Sequence, residues 1–168
     1  MTPDQAGGMI ILVGKMVTED VAWVPEAKEA MALPHSREAQ LFYRTAKQRF
    51  EDAQFLLEGD RTTGAVYLAG YGVECMLKAL ILNMAPRSSR AKILASFRGA
   101  KAHDFEWLQR EYRKLQGPTF SQKVREYFVH VSTWTTDYRY RSGMIEHADA
   151  YDFLEAAEAI IKWADGRM

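Results

Sequence analysis

YLAGYGVECMLKALILNM, residues 67–84, is apolar around nearly its whole circumference, yet Tyr67, Tyr71, Glu74 and Lys78 recur in it at steps of four, three and four. That spacing makes one stripe on a helix. A helix apolar on all sides belongs inside a bundle, and a single polar line within it must face a partner or a shared cavity. The chain therefore reads as all-α, with this segment at its centre.

Working outward, the central helix is expected from about Thr62 to Met84, stopped by Pro86. Gly64, Gly70 and Gly72 each cost roughly 1 kcal/mol of helix propensity relative to Ala, so their presence predicts close approach of another backbone. Upstream, Pro34 and Ser36 mark a helix start, with Ser36 as the N-cap. Ala39, Tyr43, Ala46, Phe50, Ala53 and Leu57 then form a seam of alternating four- and three-residue steps, and Gly59 ends the helix.

Downstream lies a connecting region with a basic surface, then an amphipathic helix from about His103 to Leu115 carrying Phe105, Leu108, Tyr112 and Leu115 on one face. Gly117-Pro118 breaks it. A further segment, Thr119 to about Trp134, aligns Phe120, Val124, Tyr127, Phe128 and Val131. The loop TTDYRYRSGMIEH follows, and the last helix, about His147 to Ala164, has an expected core face of Tyr151, Leu154, Ala157, Ile161 and Ala164. Residues 34–168 thus predict an antiparallel bundle of four main helices plus a short one. Residues 1–33 read as a separate arm, irregular or hairpin-like, with Met9 to Val13 and Met16 to Val24 flanking Gly14-Lys15 and a helix starting at Pro25.

Composition bounds the function. At 168 residues and 48% hydrophobic, the chain suffices for one domain with a substantial core. Its longest uninterrupted apolar run before residue 60, Met9 to Val13, is far short of a membrane span and lacks a preceding basic region, so the expected location is the cytoplasm, away from membranes. The single cysteine, Cys75, has no disulfide partner and lies on the central helix, where it reads as a small core residue. Zero net charge argues against strong general affinity for nucleic acid. The charge is uneven, however: Ala85 to Arg125 holds ten basic residues against three acidic ones, whereas Glu126 to the end holds four against eight. Solvated helix faces and a phosphate-attracting patch both fit that asymmetry.

YRTAKQRFEDAQFLL, AVYLAGYGVECMLKALIL, HDFEWL and DYRYRSG before an Ala-rich terminal helix together resemble the HEPN superfamily of prokaryotic helical bundles over roughly residues 37–165. The likeness is strongest on the central helix, where family members place a Glu and a Lys four apart, as Glu74 and Lys78 stand. The resemblance implies a homodimer that binds RNA or a nucleotide, in many members a metal-independent endoribonuclease of a toxin or defence system. Other members pair with a nucleotidyltransferase as toxin and antitoxin, or are noncatalytic dimerisation and interaction modules. No metal and no cofactor is implied.

In the ribonucleases the site is an Arg followed four to six residues later by a His near the start of the last helix. Arg141 and His147 match it here. A guanidinium can grip a phosphate bidentately while an imidazole moves the proton of the 2′-hydroxyl, so the pairing suits RNA cleavage. Spacing alone does not single it out, because Arg98 with His103 and Arg125 with His130 also satisfy it. Placement before the last helix does. Active members carry Asn, Asp or His directly after the arginine and a Tyr close after the histidine; here those positions hold Ser142 and, four residues on from His147, Tyr151. Arg139 and Tyr140 complete the candidate binding set with Glu74 and Lys78. A buried Glu74 requires a partner, and both Lys78 and Arg139 are available for it. The lone cysteine and widely spaced histidines leave no zinc signature, and no glycine-rich phosphate loop occurs.

Overall fold

The computed structural model describes residues 33–168, so the expectations for the arm lie outside the described residues. Those described form six α-helices and two 3-10 turns, with no strand among them. The helices are α1 (Arg37–Glu58), α2 (Thr62–Met84), α3 (Arg87–Ser96), α4 (Phe105–Lys114), α5 (Gln122–Val131) and α6 (His147–Asp165). The turns span Ala100–His103 and Thr136–Tyr140.

The start of α1 is capped as its sequence demands: the Ser36 hydroxyl accepts from the Ala39 amide at 3.1 Å. At the other end the residue in the left-handed region is Asp60 (φ 57) rather than Gly59, and the Arg61 amide returns to the Leu56 carbonyl at 2.8 Å. Asp tolerates that conformation better than most side chains. The tight turn reverses the chain and lays α2 antiparallel against the Ala39, Tyr43, Ala46, Phe50, Ala53 seam, all of it buried.

Helix α2 is the core. Sixteen of its residues are buried, beneath α1, α4 and α6. It is long and apolar enough to cross a membrane, but most of its apolar surface is covered by the rest of the fold. Of its glycines, only Gly72 permits the close backbone approach that was expected, a Cβ there meeting the Ala46 carbonyl oxygen at 3.3 Å. Gly70 instead makes room for an indole: a Cβ would lie 2.1 Å from Nε1 of Trp134. Gly64 faces the Leu56 side chain.

The basic connecting region is helical. None of the α3 residues is buried, so no apolar period marks it. What ties it down is Arg90, whose guanidinium donates to the carbonyls of Leu82 and Ala85, both at 3.2 Å, satisfying acceptors left free at the end of α2. After α4, capped by Asp104, and α5, capped by Ser121, the chain returns to the end of the bundle where α2 begins. Thr62 Oγ1 donates to the Ile145 carbonyl just before α6, and Asn83 Nδ2 donates to the Met168 carbonyl just after it. The antiparallel arrangement therefore holds for α1 and α2, while α6 runs parallel to α2. Its core face is Ala150, Phe153, Leu154, Ala157, Ile160, Ile161 and Ala164. Tyr151, expected in that face, is 58% exposed, because Ala150 and Phe153 take the inward positions.

Candidate functional site

Two constellations carry the polar residues singled out above. The first is the stripe on α2. Glu74 is 2% exposed and Lys78 4%. The Glu74 carboxylate accepts from Lys78 Nζ at 2.6 Å through one oxygen and lies 2.9 Å from His103 Nδ1 through the other. An ionised carboxylate offers only lone pairs, so the Nδ1 of His103 carries the proton in this contact. The Lys78 ammonium also lies over the rings of Phe42 and Phe97, 5.8 and 5.5 Å from their centroids. The Tyr71 hydroxyl is pushed up to about 12, chiefly by burial and then by its hydrogen bond with Tyr67.

Arg139 does not cap Glu74. It is exposed, with its guanidinium 4.8 Å from the Tyr140 centroid, and the carboxylate is satisfied by Lys78 and His103 instead. His103 is the residue that sequence reasoning missed. The sequence marked it only as the start of HDFEWL and by a spacing from Arg98, neither of which tied it to Glu74; the usable signal was a buried acid in need of a second partner. Cys75, beside Glu74, has its thiol pushed up to about 12 by burial and then by the Glu74 charge, which keeps it protonated and unreactive.

The second constellation is the loop between the Thr136–Tyr140 turn and α6. Thr63 Oγ1 donates to the Gly143 carbonyl at 2.8 Å and accepts from the Ile145 amide at 3.3 Å. With the Thr62 bond, this pins the loop to the first turn of α2. Gly143 sits at φ 98, a conformation that other residues rarely adopt. Arg141 and His147 thus stand at the two ends of one anchored loop. The Arg141 guanidinium lies 4.3 Å from the centroid of Tyr138. The imidazole of His147 is exposed, its Nε2 3.9 Å from an oxygen of Asp60.

The two side chains share the loop but not a pocket. Arg141 lines a groove of about 470 Å³ with His130, Tyr138, Glu146, Asp149 and Asp152, and His147 is not among its lining residues. Three carboxylates therefore share that groove with Arg141. Tyr140 and Met144, which flank Arg141 in the chain, are each 75% exposed. Among the described residues no group of three or more His, Cys, Asp or Glu side chains is placed to hold a metal ion.

An all-helical bundle with a buried Glu-Lys pair four apart on its central helix, and an exposed Arg and His bracketing the start of its last helix, defines a narrow class. The family model for the HEPN domain matches residues 39–167, which is most of the chain. The chain belongs to the HEPN family. Neither the curated proteins nor the solved structures include a significant match to it.

Proposed function

We propose that this HEPN domain is a cytoplasmic homodimer that binds RNA or a nucleotide at the Arg141–His147 loop and cleaves RNA without a metal. The observation that carries the reading is the anchored loop: Thr62 and Thr63 hold an exposed arginine and an exposed histidine in fixed positions on the same rim of the bundle. Exposed Tyr140 and Met144 beside them supply an apolar rim that a second copy would cover. Twofold pairing would also bring a second guanidinium and a second imidazole to the shared rim. In that arrangement Arg141 grips the phosphate, and His147 accepts the 2′-hydroxyl proton as the oxygen attacks phosphorus.

A second reading rests on the three carboxylates beside Arg141. Glu146, Asp149 and Asp152 suit a basic protein surface better than a phosphate, which favours a noncatalytic interaction module, for example the partner of a nucleotidyltransferase. The deciding experiment is RNA cleavage in excess chelator. Wild type should cleave, and Arg141→Ala and His147→Ala should each lose roughly 100-fold or more while keeping the dimer mass by light scattering. No cleavage by the wild type, or a mass near the 19.2 kDa monomer, would leave the interaction module as the reading to keep.

A further inference from the structure

A further concavity lies elsewhere, between α4 and α5. It encloses about 840 Å³, and its walls carry Arg110 and Arg113 from α4 and Arg125 from α5, with His103 at one end. Ser132, Thr135 and Thr136 add polar groups, and the buried rings of Phe105 and Trp134, stacked at 5.1 Å, support it from beneath.

Most basic surface stretches are simply solvated, so the state of these charges matters. Two carboxylates share the groove. One oxygen of Asp104 is occupied by the Glu106 and Trp107 amides at the start of α4. Glu106 is 82% exposed at its side chain and only 3.6 Å from Arg110, too far for a good hydrogen bond. Arg113 and Arg125 have no carboxylate partner among the described residues. Instead, Arg113 Nε donates to the Gln109 carbonyl at 3.2 Å and Arg125 Nη1 to the Phe120 carbonyl at 2.7 Å. A single backbone bond orients each guanidinium and leaves its other donors unspent. That prepositioning lowers the entropy cost of gripping an anion.

His103 links this groove to the core. Its Nδ1 is committed to buried Glu74, so the ring is held in one orientation by a carboxylate that cannot move. Its side chain is 36% exposed, and Nε2 has no hydrogen-bond partner among the described residues. When the ring is an imidazolium, Nε2–H is a donor held in a fixed direction beside an arginine-walled groove, which suits an anion and which helix packing alone does not require.

We propose that the α4/α5 groove is a phosphate-binding site, in which Arg113 and Arg125 take the phosphate oxygens, Arg110 adds charge, and His103, held through Nδ1–H by Glu74, donates from Nε2–H as an imidazolium. The site is separate from the Arg141–His147 loop and stands whether or not that loop is catalytic. The ligand is a phosphate ester or diester, free as a nucleotide or within an RNA backbone.

The test is calorimetric titration of the full chain with pyrophosphate, AMP and a short single-stranded RNA, on wild type, Arg113→Ala/Arg125→Ala, His103→Gln, Arg141→Ala and a charge control, Arg49→Gln, on α1. Both groove arginines are exposed, so their double variant should melt as wild type does. The expected result is that at least one probe loses tenfold or more in affinity with the double variant, less with His103→Gln, and nothing with the control, and that wild-type binding weakens steeply with salt. Binding of pyrophosphate or AMP identifies a free nucleotide as the source; binding of RNA alone identifies a backbone phosphate. If no probe binds, or if none loses affinity in the double variant, the groove is not a phosphate site. Loss with Arg141→Ala in place of the double variant would assign the phosphate to the loop and overturn the proposal equally.

Discussion

The stripe on α2 and the loop before α6 hold similar residue types under opposite physical conditions. Glu74, Lys78 and His103 are packed where an unmatched charge is very costly, and every carboxylate oxygen of Glu74 has a partner. Arg141 and His147 are in solvent, where His147 comes no closer than 3.9 Å to a carboxylate and Arg141 rests on a tyrosine ring. Burial thus makes the first group structurally indispensable, and exposure leaves the second free to meet something else. Substitution should separate the two regions cleanly: stability should suffer at the stripe, and function alone at the loop.

The largest stability loss is expected at Glu74. Glu74→Ala strands the Lys78 ammonium in the core and removes the anchor of His103, at a cost of roughly 3–5 kcal/mol. Contacts of the ammonium with Phe42 and Phe97 offset only part of this. Replacing both members, as Glu74→Leu with Lys78→Met, removes both buried charges and should cost less than the single change. Denaturant melts of the three proteins decide it; a double variant as unstable as Glu74→Ala would mean that the anchoring of His103, and not the charge pair, dominates.

Next in size is Gly70→Ala. The added methyl would collide with Trp134, whose indole N–H also donates to the Tyr67 carbonyl at 3.1 Å, so the ring cannot shift without giving up that bond and its stack on Phe105. Overpacking of this kind costs about 1–3 kcal/mol, more than the roughly 1 kcal/mol of helix propensity that alanine would return. A Gly70→Ala protein that melts above wild type would show that the indole relocates freely, and that the core around the stripe is softer than its burial suggests.

How legible each region was in the chain follows from the same physics. The α2 core and the α1 seam were readable because burial enforces a period, and the period survives in one dimension. The family likeness rested on such segments too. Three features were not readable. Helix α3 has no fully buried residue, resting only Ile93 against the core, and Arg90 fixes it on carbonyls that only the folded end of α2 presents. His103 meets Glu74 across 29 residues of chain, and no local pattern announces that contact. The position of Gly70 signalled a close neighbour, but an indole from 64 residues downstream was not distinguishable from a second backbone. For the loop, residue types and spacing located Arg141 and His147, yet the groove around Arg141, with Glu146, Asp149 and Asp152, emerges only when the loop and the first turns of α6 are placed together.

The smallest stability effect is expected where the functional effect should be greatest. Arg141→Ala removes one exposed guanidinium from the face of the buried Tyr138 ring, and His147→Ala removes an exposed imidazole at the first position of α6; neither side chain hydrogen-bonds to a buried group among the described residues. Their bonding is weak, since the cation–π contact of an exposed arginine contributes about 0.5–1 kcal/mol and the His147–Asp60 distance exceeds any hydrogen bond. Alanine at position 147 also returns some helix propensity. Each variant should therefore unfold within about 1 kcal/mol of wild type in the same denaturant series. The loop itself should stay in place, because Thr62 and Thr63 hold it through backbone groups that neither substitution touches. Weakening that clamp with Thr63→Val supplies the contrast: it leaves Arg141 and His147 chemically intact and keeps the Thr62 bond to Ile145, but releases the Gly143 carbonyl, so any RNA cleavage should fall even though both side chains remain. Full activity in Thr63→Val would mean that the anchoring is incidental to the site, and a large loss of stability in Arg141→Ala would mean that the loop is part of the core after all.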